Sequence, residues 1–201
     1  MATIALDALQ DDPLRGGRRT LHDLLRSLSD GPVAADACIE GTLGIALLIH
    51  RRDDGLVSEE LYYSIRDEAE EWATPEHLGG AILGLDLAMP AASQHAPASS
   101  GLAVVSSSEA LIYTGRRDLE DGFETVQACT VLARDDVDAL EITDLSHDSA
   151  VQGGRRMRNV RSPLIEIVVL PGTHLRVSAL RRKGEALTAT GDFVDFPFPE
   201  Q

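Results

Sequence analysis

The chain changes its pattern near the middle, and that change limits what it can fold into. Residues 1–88 read as helix-rich and strongly acidic, whereas residues 101–201 read as short β-strands joined by tight turns. Between them, Met89 to Ser100 (MPAASQHAPASS) is too rich in Pro, Ala and Ser for a core element and reads as a linker or long surface loop. A chain of 201 residues can hold one large or two small domains. The expected fold class is α+β: a small helical N-terminal unit over 1–88, the linker over 89–100, and an antiparallel β barrel or sandwich over 101–201.

In the first unit, Thr20 followed by Leu21, Leu24, Leu25 and Leu28 supplies an N-cap and an apolar face at helical spacing. Asp30-Gly31-Pro32 ends that helix. From Val33 to His50 the chain is rich in Ala, Leu and Ile. A buried helix fits, and a central strand over Ile45 to Ile49 fits equally, because periodicity does not arbitrate so short a run. Asp53-Asp54-Gly55 marks a turn. Ser58 then caps an expected helix to Trp72, with Leu61, Ile65, Ala69 and Trp72 on one face and acidic residues opposite. Thr74-Pro75 opens an expected last helix to about Ala88, which Gly79, Gly80 and Gly84 each weaken by roughly 1 kcal/mol relative to Ala.

In the second half, Leu102 to Val105 and Ala110 to Thr114 are apolar runs separated by Ser106-Ser107-Ser108-Glu109, which predicts a hairpin. Gln127 to Ala133 reads as a strand, with Asp135 to Ile142 continuing it after a bend. Leu164 to Leu170, Pro171-Gly172 and Thr173 to Leu180 predict strand, type II turn and return strand. On the return, Leu175, Val177 and Ala179 face one side, and His174, Arg176 and Ser178 the other. Lys183-Gly184 turns again into Ala186 to Thr190. Strands at this spacing point to an antiparallel barrel or sandwich.

Three of these segments carry a family resemblance. Gly101 to Arg117 (GLAVVSSSEALIYTGRR) resembles the opening hairpin of bacterial pleckstrin-homology-like (PH-like) domains. Val131 to Ile142 (VLARDDVDALEI) is similar to the segment that follows, and Leu164 to Leu180 (LIEIVVLPGTHLRVSAL) to the later hairpin. The likeness spans roughly half the chain and lies in the hydrophobic pattern. It departs at the end, where that family closes its barrel with a helix and Pro197 and Pro199 forbid one. The resemblance implies a scaffold that binds proteins or anionic lipid rather than an enzyme.

Charge narrows the partners. The chain carries 18 Lys/Arg and 33 Asp/Glu, a net charge of −15. The split is 7 against 17 in residues 1–100 and 11 against 16 in residues 101–201. Both halves repel a polyanion, so no nucleic-acid partner is expected. A helix-turn-helix reader fails for the same reason, since the expected helix sets Glu59, Glu60, Asp67, Glu68, Glu70 and Glu71 against Arg66 alone. Of the 18 basic residues only Lys183 is Lys. With abundant Ala, Gly and Asp, that bias points to a GC-rich genome such as that of an actinobacterium or one of its phages. Cys38 and Cys129 form no CxxC and read as reduced, buried thiols. The N-terminus lacks a basic n-region, and the longest apolar run, Gly41 to Ile49, falls short of a bilayer span. The expected location is cytoplasmic.

Two features could carry binding. Arg155, Arg156, Arg158 and Arg161 follow Gly153-Gly154 in an otherwise acidic chain. They could grip phosphate, an anionic lipid surface or an acidic partner, or pair with the protein's own carboxylates. Arg116, Arg117, Arg181, Arg182 and Lys183 are further basic residues of the same half. Phe193, Phe196 and Phe198 supply three of the four phenylalanines. They could form partner contacts or close the domain's own core as an edge strand.

No residue pattern nominates catalysis. The six histidines (His22, His50, His77, His95, His147, His174) form neither HxxxH nor HExxH, so no metal is expected. In the acidic run from Asp135 to Asp144, an EF-hand register from Asp136 puts Glu141 where Gly is needed and His147 where Glu is needed. No P-loop, GxGxxG after a strand or GxSxG elbow occurs. No catalytic residue and no cofactor is expected. The leading expectation is a protein-interaction, assembly or regulatory component, with an anionic lipid or phosphate binder and an enzyme with an unrecognised site as alternatives. Whether the chain self-associates stays open.

Overall fold

A computed structural model describes residues 1–10, 17–86, 101–114, 121–146 and 154–197. The expected linker, His95, Arg116, Arg117, His147 and Phe198 lie outside the described residues. Two short helices, α1 (Ala2–Gln10) and α2 (Leu21–Ser27), precede eleven described strands: β1 (Val33–Glu40), β2 (Leu43–Arg51), β3 (Leu56–Ile65), β4 (Glu76–Asp86), β5 (Leu102–Tyr113), β6 (Phe123–Ala133), β7 (Ala139–Asp144), β8 (Arg155–Asn159), β9 (Leu164–Val169), β10 (Leu175–Lys183) and β11 (Ala186–Phe196). They form three antiparallel sheets, ordered β1-β2-β3-β4, β5-β6-β9 and β11-β10-β7-β8. We call these the N-terminal, central and C-terminal sheets. The fold is α+β, and among the described residues no sheet closes into a barrel.

The sheets stack in layers, and side-chain alternation sets the order. One core joins Ile45, Leu47, Ile49, Val57, Leu61, Leu83 and Leu85 of the N-terminal sheet to Ile112, Val126, Ala128, Leu132, Leu164 and Val168 of the central sheet. Helix α2 adds Leu21, Leu24 and Leu25 to that core. A second core sets Cys129, Val131, Ile165, Ile167 and Val169 on the reverse face of the central sheet against Leu140, Ile142, Val177, Ala179 and Phe196 of the C-terminal sheet. The central sheet is therefore buried on both faces over most of β6 and all of β9. Residues from both halves of the sequence share the first core. On the outer face of the N-terminal sheet, α1 packs Ala5, Ala8 and Leu9 on Ala46 and Leu48.

The helix-rich reading of residues 1–88 is corrected. Helix α2 is present, opened by a capping box in which Thr20 Oγ1 accepts from Asp23 N at 3.2 Å and Thr20 N donates back to Asp23 Oδ2 at 3.2 Å. The expected helix from Ser58 is instead β3 as far as Ile65, with turns from there to Trp72, and Glu76 to Asp86 of the expected last helix are β4. In β3 the inward row is Val57, Glu59, Leu61, Tyr63 and Ile65. A carboxylate in that row hides the period-two pattern and leaves a spurious helical one. In β4 the glycines have strand roles: Gly84, at φ +65°, sits where the β3–β4 register shifts. The alternative over Ile45–Ile49 resolves as strand β2, buried without a break from Leu43 to Ile49.

Two expectations in the second half are also corrected. Ser106 to Glu109 is no turn, because β5 runs through it with a register shift between Val104 and Ser106. Leu164–Leu170 and Thr173–Leu180 do not pair with each other. Strand β9 pairs with β6, while β10 pairs with β7 and β11, so Pro171-Gly172 carries the chain between sheets. The expected alternation of β10 is present, with Leu175, Val177 and Ala179 in the second core. No helix of the described residues is long and apolar enough to cross a membrane.

The α1 layer leaves no room for a larger residue at Gly44. A Cβ there would lie 2.7 Å from Leu9 Cδ2 and 2.7 Å from the Trp72 ring. Gly44→Ala is expected to cost about 1–3 kcal/mol by overpacking. Denaturant unfolding would read that cost, and hydrogen exchange would place the loosening in α1.

Candidate interaction surface

Strands β5 and β6 pair along their whole length, with Glu109 opposite Gln127, Leu111 opposite Thr125 and Tyr113 opposite Phe123. One face of this hairpin is fixed. Ile112, Ala110, Val126 and Ala128 pack into the first core, and Thr114 Oγ1 donates to the buried Glu124 carboxylate at 2.5 Å. The other face continues past the second core, which takes no residue of these strands between 105 and 128. There Leu111 is 68% exposed, Tyr113 52% and Phe123 46%. The Tyr113 and Phe123 rings meet edge to face with centroids 5.3 Å apart. Residues two apart on a strand share a face, so Leu111 extends the aromatic pair into one apolar surface. At its base, Glu109, Thr125 and Gln127 join Leu170, Pro171 and Pro197 around a groove of about 280 Å³. Sequence reading missed this surface. Its residues alternate like any strand face, and the second core takes none of them.

Of the arginines singled out from sequence, Arg155, Arg156 and Arg158 lie on β8 and pair with the protein's own acids. Arg155 pairs with Glu141 on β7. Arg156 grips Glu40 of β1 with both terminal nitrogens, Nη1 at 2.6 Å from Oε2. Arg158 is the most committed. Its Nη2 donates to Asp36 Oδ2 at 2.5 Å and to Ala37 O at 3.0 Å, and its Nη1 donates to Glu166 O at 2.7 Å. One guanidinium on the C-terminal sheet therefore ties β1 of the N-terminal sheet to β9 of the central sheet. Burial is the largest single influence and works against its charge, but the Asp36 charge and hydrogen bond, together with the other acidic groups around it, raise Arg158 above its ordinary value. Arg161 follows β8, and its carbonyl accepts from Arg19 N at 2.8 Å. Arg181 pairs with Asp136, and Arg18 with Asp138, so the acidic run also finds partners within the chain.

The tail phenylalanines separate. Phe196 is 1% exposed and belongs to the second core, so it is no surface contact. Phe193 is 53% exposed on the outer face of β11, beneath the Arg176 guanidinium at 4.3 Å. Arg176 in turn forks onto Asp195 at 2.7 and 2.8 Å, and that hydrogen bonding holds Asp195 below the usual carboxylate range. Both cysteines are free and buried. Burial pushes the Cys38 thiol up to about 12 and Cys129 to about 11, which removes thiolate reactivity at neutral pH.

Two polar constellations were also invisible from sequence. On the outer face of the N-terminal sheet, Glu60 lies between two imidazoles, at 3.3 Å from His50 Nε2 and 2.6 Å from His77 Nε2. Among the described residues no group of three or more His, Cys, Asp or Glu is placed to hold a metal ion. Between the N-terminal and central sheets, Glu59, Thr130 and Glu166 are fully buried. Thr130 Oγ1 lies 2.6 Å from Glu59 Oε2 and 3.1 Å from Glu166 Oε2, and Ser106 donates to Glu59 Oε1. These carboxylates open onto no groove described above. Comparison of the chain with family models, with curated proteins and with solved structures gave no match.

Proposed function

We propose that this chain is a non-enzymatic protein-interaction component, an assembly or regulatory part of a bacterial or phage cytosolic complex, and that it meets its partner through the open face of β5 and β6. One observation carries the reading. Leu111, Tyr113 and Phe123 form a contiguous exposed apolar surface on strands whose reverse face is locked into the core. Exposed apolar patches of this kind mark interaction sites, and aromatic side chains on a rigid backing lose little entropy when a partner covers them. The adjoining groove offers a place for an anchoring side chain of the partner.

The PH-like resemblance belongs to the same proposal, as a scaffold that binds proteins. Strands β5 to β11 supply two facing antiparallel sheets to such a scaffold. Their last described element is a strand rather than the helix that closes the family's barrel. An anionic lipid or phosphate on Arg155, Arg156 and Arg158 would have to compete with Glu141, Glu40 and Asp36, and for that reason the partner is assigned to the hairpin. The test is a Leu111→Ser/Phe123→Ser double variant, measured against a partner purified on the wild-type protein. Affinity is expected to fall about tenfold or more at an unchanged melting temperature. Undiminished affinity in a folded double variant would overturn the proposal.

A further inference from the structure

We propose that Glu59 and Glu166 share one proton through the Thr130 hydroxyl, and that this proton locks the N-terminal sheet onto the central sheet. Thr130 has a single hydroxyl hydrogen, yet its oxygen lies within hydrogen-bonding distance of both carboxyl groups, at 2.6 and 3.1 Å. It can donate to one of them only. The shorter contact and the Ser106 hydroxyl on the other oxygen make Glu59 the acceptor of two donors. Glu166 then completes the chain only as an acid, donating Oε2–H to Thr130 Oγ1.

The remaining oxygen supports the same assignment. Glu166 Oε1 is buried with no hydrogen-bond partner. The carbonyl oxygen of a neutral acid tolerates that position far better than half of a carboxylate would. The charges around the pair favour one proton rather than none. Asp36 of β1 accepts from Glu166 N at 2.7 Å and Glu60 neighbours Glu59 on β3, while the Cys129 thiol of β6, the other titratable group close by, is uncharged at neutral pH. The Arg158 guanidinium from β8 is the cation facing Glu166, and it is already engaged by Asp36. Burial first, and the Glu59 charge second, push the Glu166 carboxyl well above its ordinary value of 4.5. Burial likewise raises Glu59.

The sign of the effect follows. A carboxyl raised on folding contributes stability that is fully present below the unfolded-state value. That contribution is lost as pH rises through the folded-state value. With the proton gone, two carboxylates face each other between β3 and β9 in a dry core, and the repulsion separates the N-terminal sheet from the central one.

The experiment is thermal unfolding of the full chain from pH 5 to pH 9, for the wild type, Glu166→Gln and Glu59→Gln. It is joined to infrared detection of a protonated-carboxyl C=O stretch in the wild type at neutral pH. The glutamine amide at 166 can donate to Thr130 without titrating. The melting temperature of Glu166→Gln is therefore expected to fall less than that of the wild type as pH rises from 5, and the infrared band is expected in the wild type and absent from this variant. Should Glu166→Gln not fold, Glu59→Gln is expected to show a smaller flattening, because burial alone still raises Glu166, and the wild-type band still reports the proton. A neutral-pH wild-type spectrum without that band would overturn the shared proton. Folded variants that keep the wild-type pH dependence would overturn the lock.

Discussion

Arg158→Ala is expected to lower the unfolding free energy by about 3–5 kcal/mol, the largest loss from any single arginine among the described residues. The reason is the group left behind rather than the group removed. Asp36 is 6% exposed, and its Oδ2 accepts from both Arg158 and Glu166 N. Without the guanidinium that carboxylate stays in the interior beside Glu166, uncompensated. Ala37 O and Glu166 O also lose their side-chain donor. Arg155→Ala is the control. Its side chain is 67% exposed and bridges within one sheet, so its removal should hardly move the denaturant midpoint. Equal effects of the two substitutions in equilibrium unfolding would contradict the clamp.

Phe196→Ala is expected to cost about 3–5 kcal/mol, while Phe193→Ala leaves stability near the wild-type value. The two residues lie three apart on β11 and have opposite fates. Phe196 fills the core between the central and C-terminal sheets beside Leu175, its pairing neighbour on β10. Phe193 lies on the solvent face under Arg176. Chemical denaturation of the two variants separates these roles directly. A large loss from Phe193→Ala would mean that the tail packs differently.

Local signals were legible where a segment carries its own instructions. Thr20 offers an N-cap and the leucines at 21, 24, 25 and 28 fall on one helical face, so α2 is readable from five residues, and Asp23 completes the capping box. The alternation of Leu175, Val177 and Ala179 likewise gives β10 its buried face. What misled was polarity placed inside. Glu59 occupies an inward position of β3, and Ser106 lies mid-strand in β5, because each satisfies the other across the first core. Read alone, the first breaks a strand pattern and the second suggests a turn. The candidate surface was hidden for the opposite reason. Leu111, Tyr113 and Phe123 look like core residues, yet they are exposed and the core between the central and C-terminal sheets does not include them. Non-local pairing of this kind is written in no single segment.

The most direct measurement is site-specific photocrosslinking from Leu111, with the same photoreactive residue at Glu185, an exposed turn position on the C-terminal sheet, as control. In a lysate of the native host, the account predicts one dominant protein adduct from position 111. That adduct should be absent from position 185 and lost when Phe123→Ser is added. Indistinguishable adducts from the two positions, or none from position 111, would contradict the assignment of the β5–β6 face as the partner-binding surface.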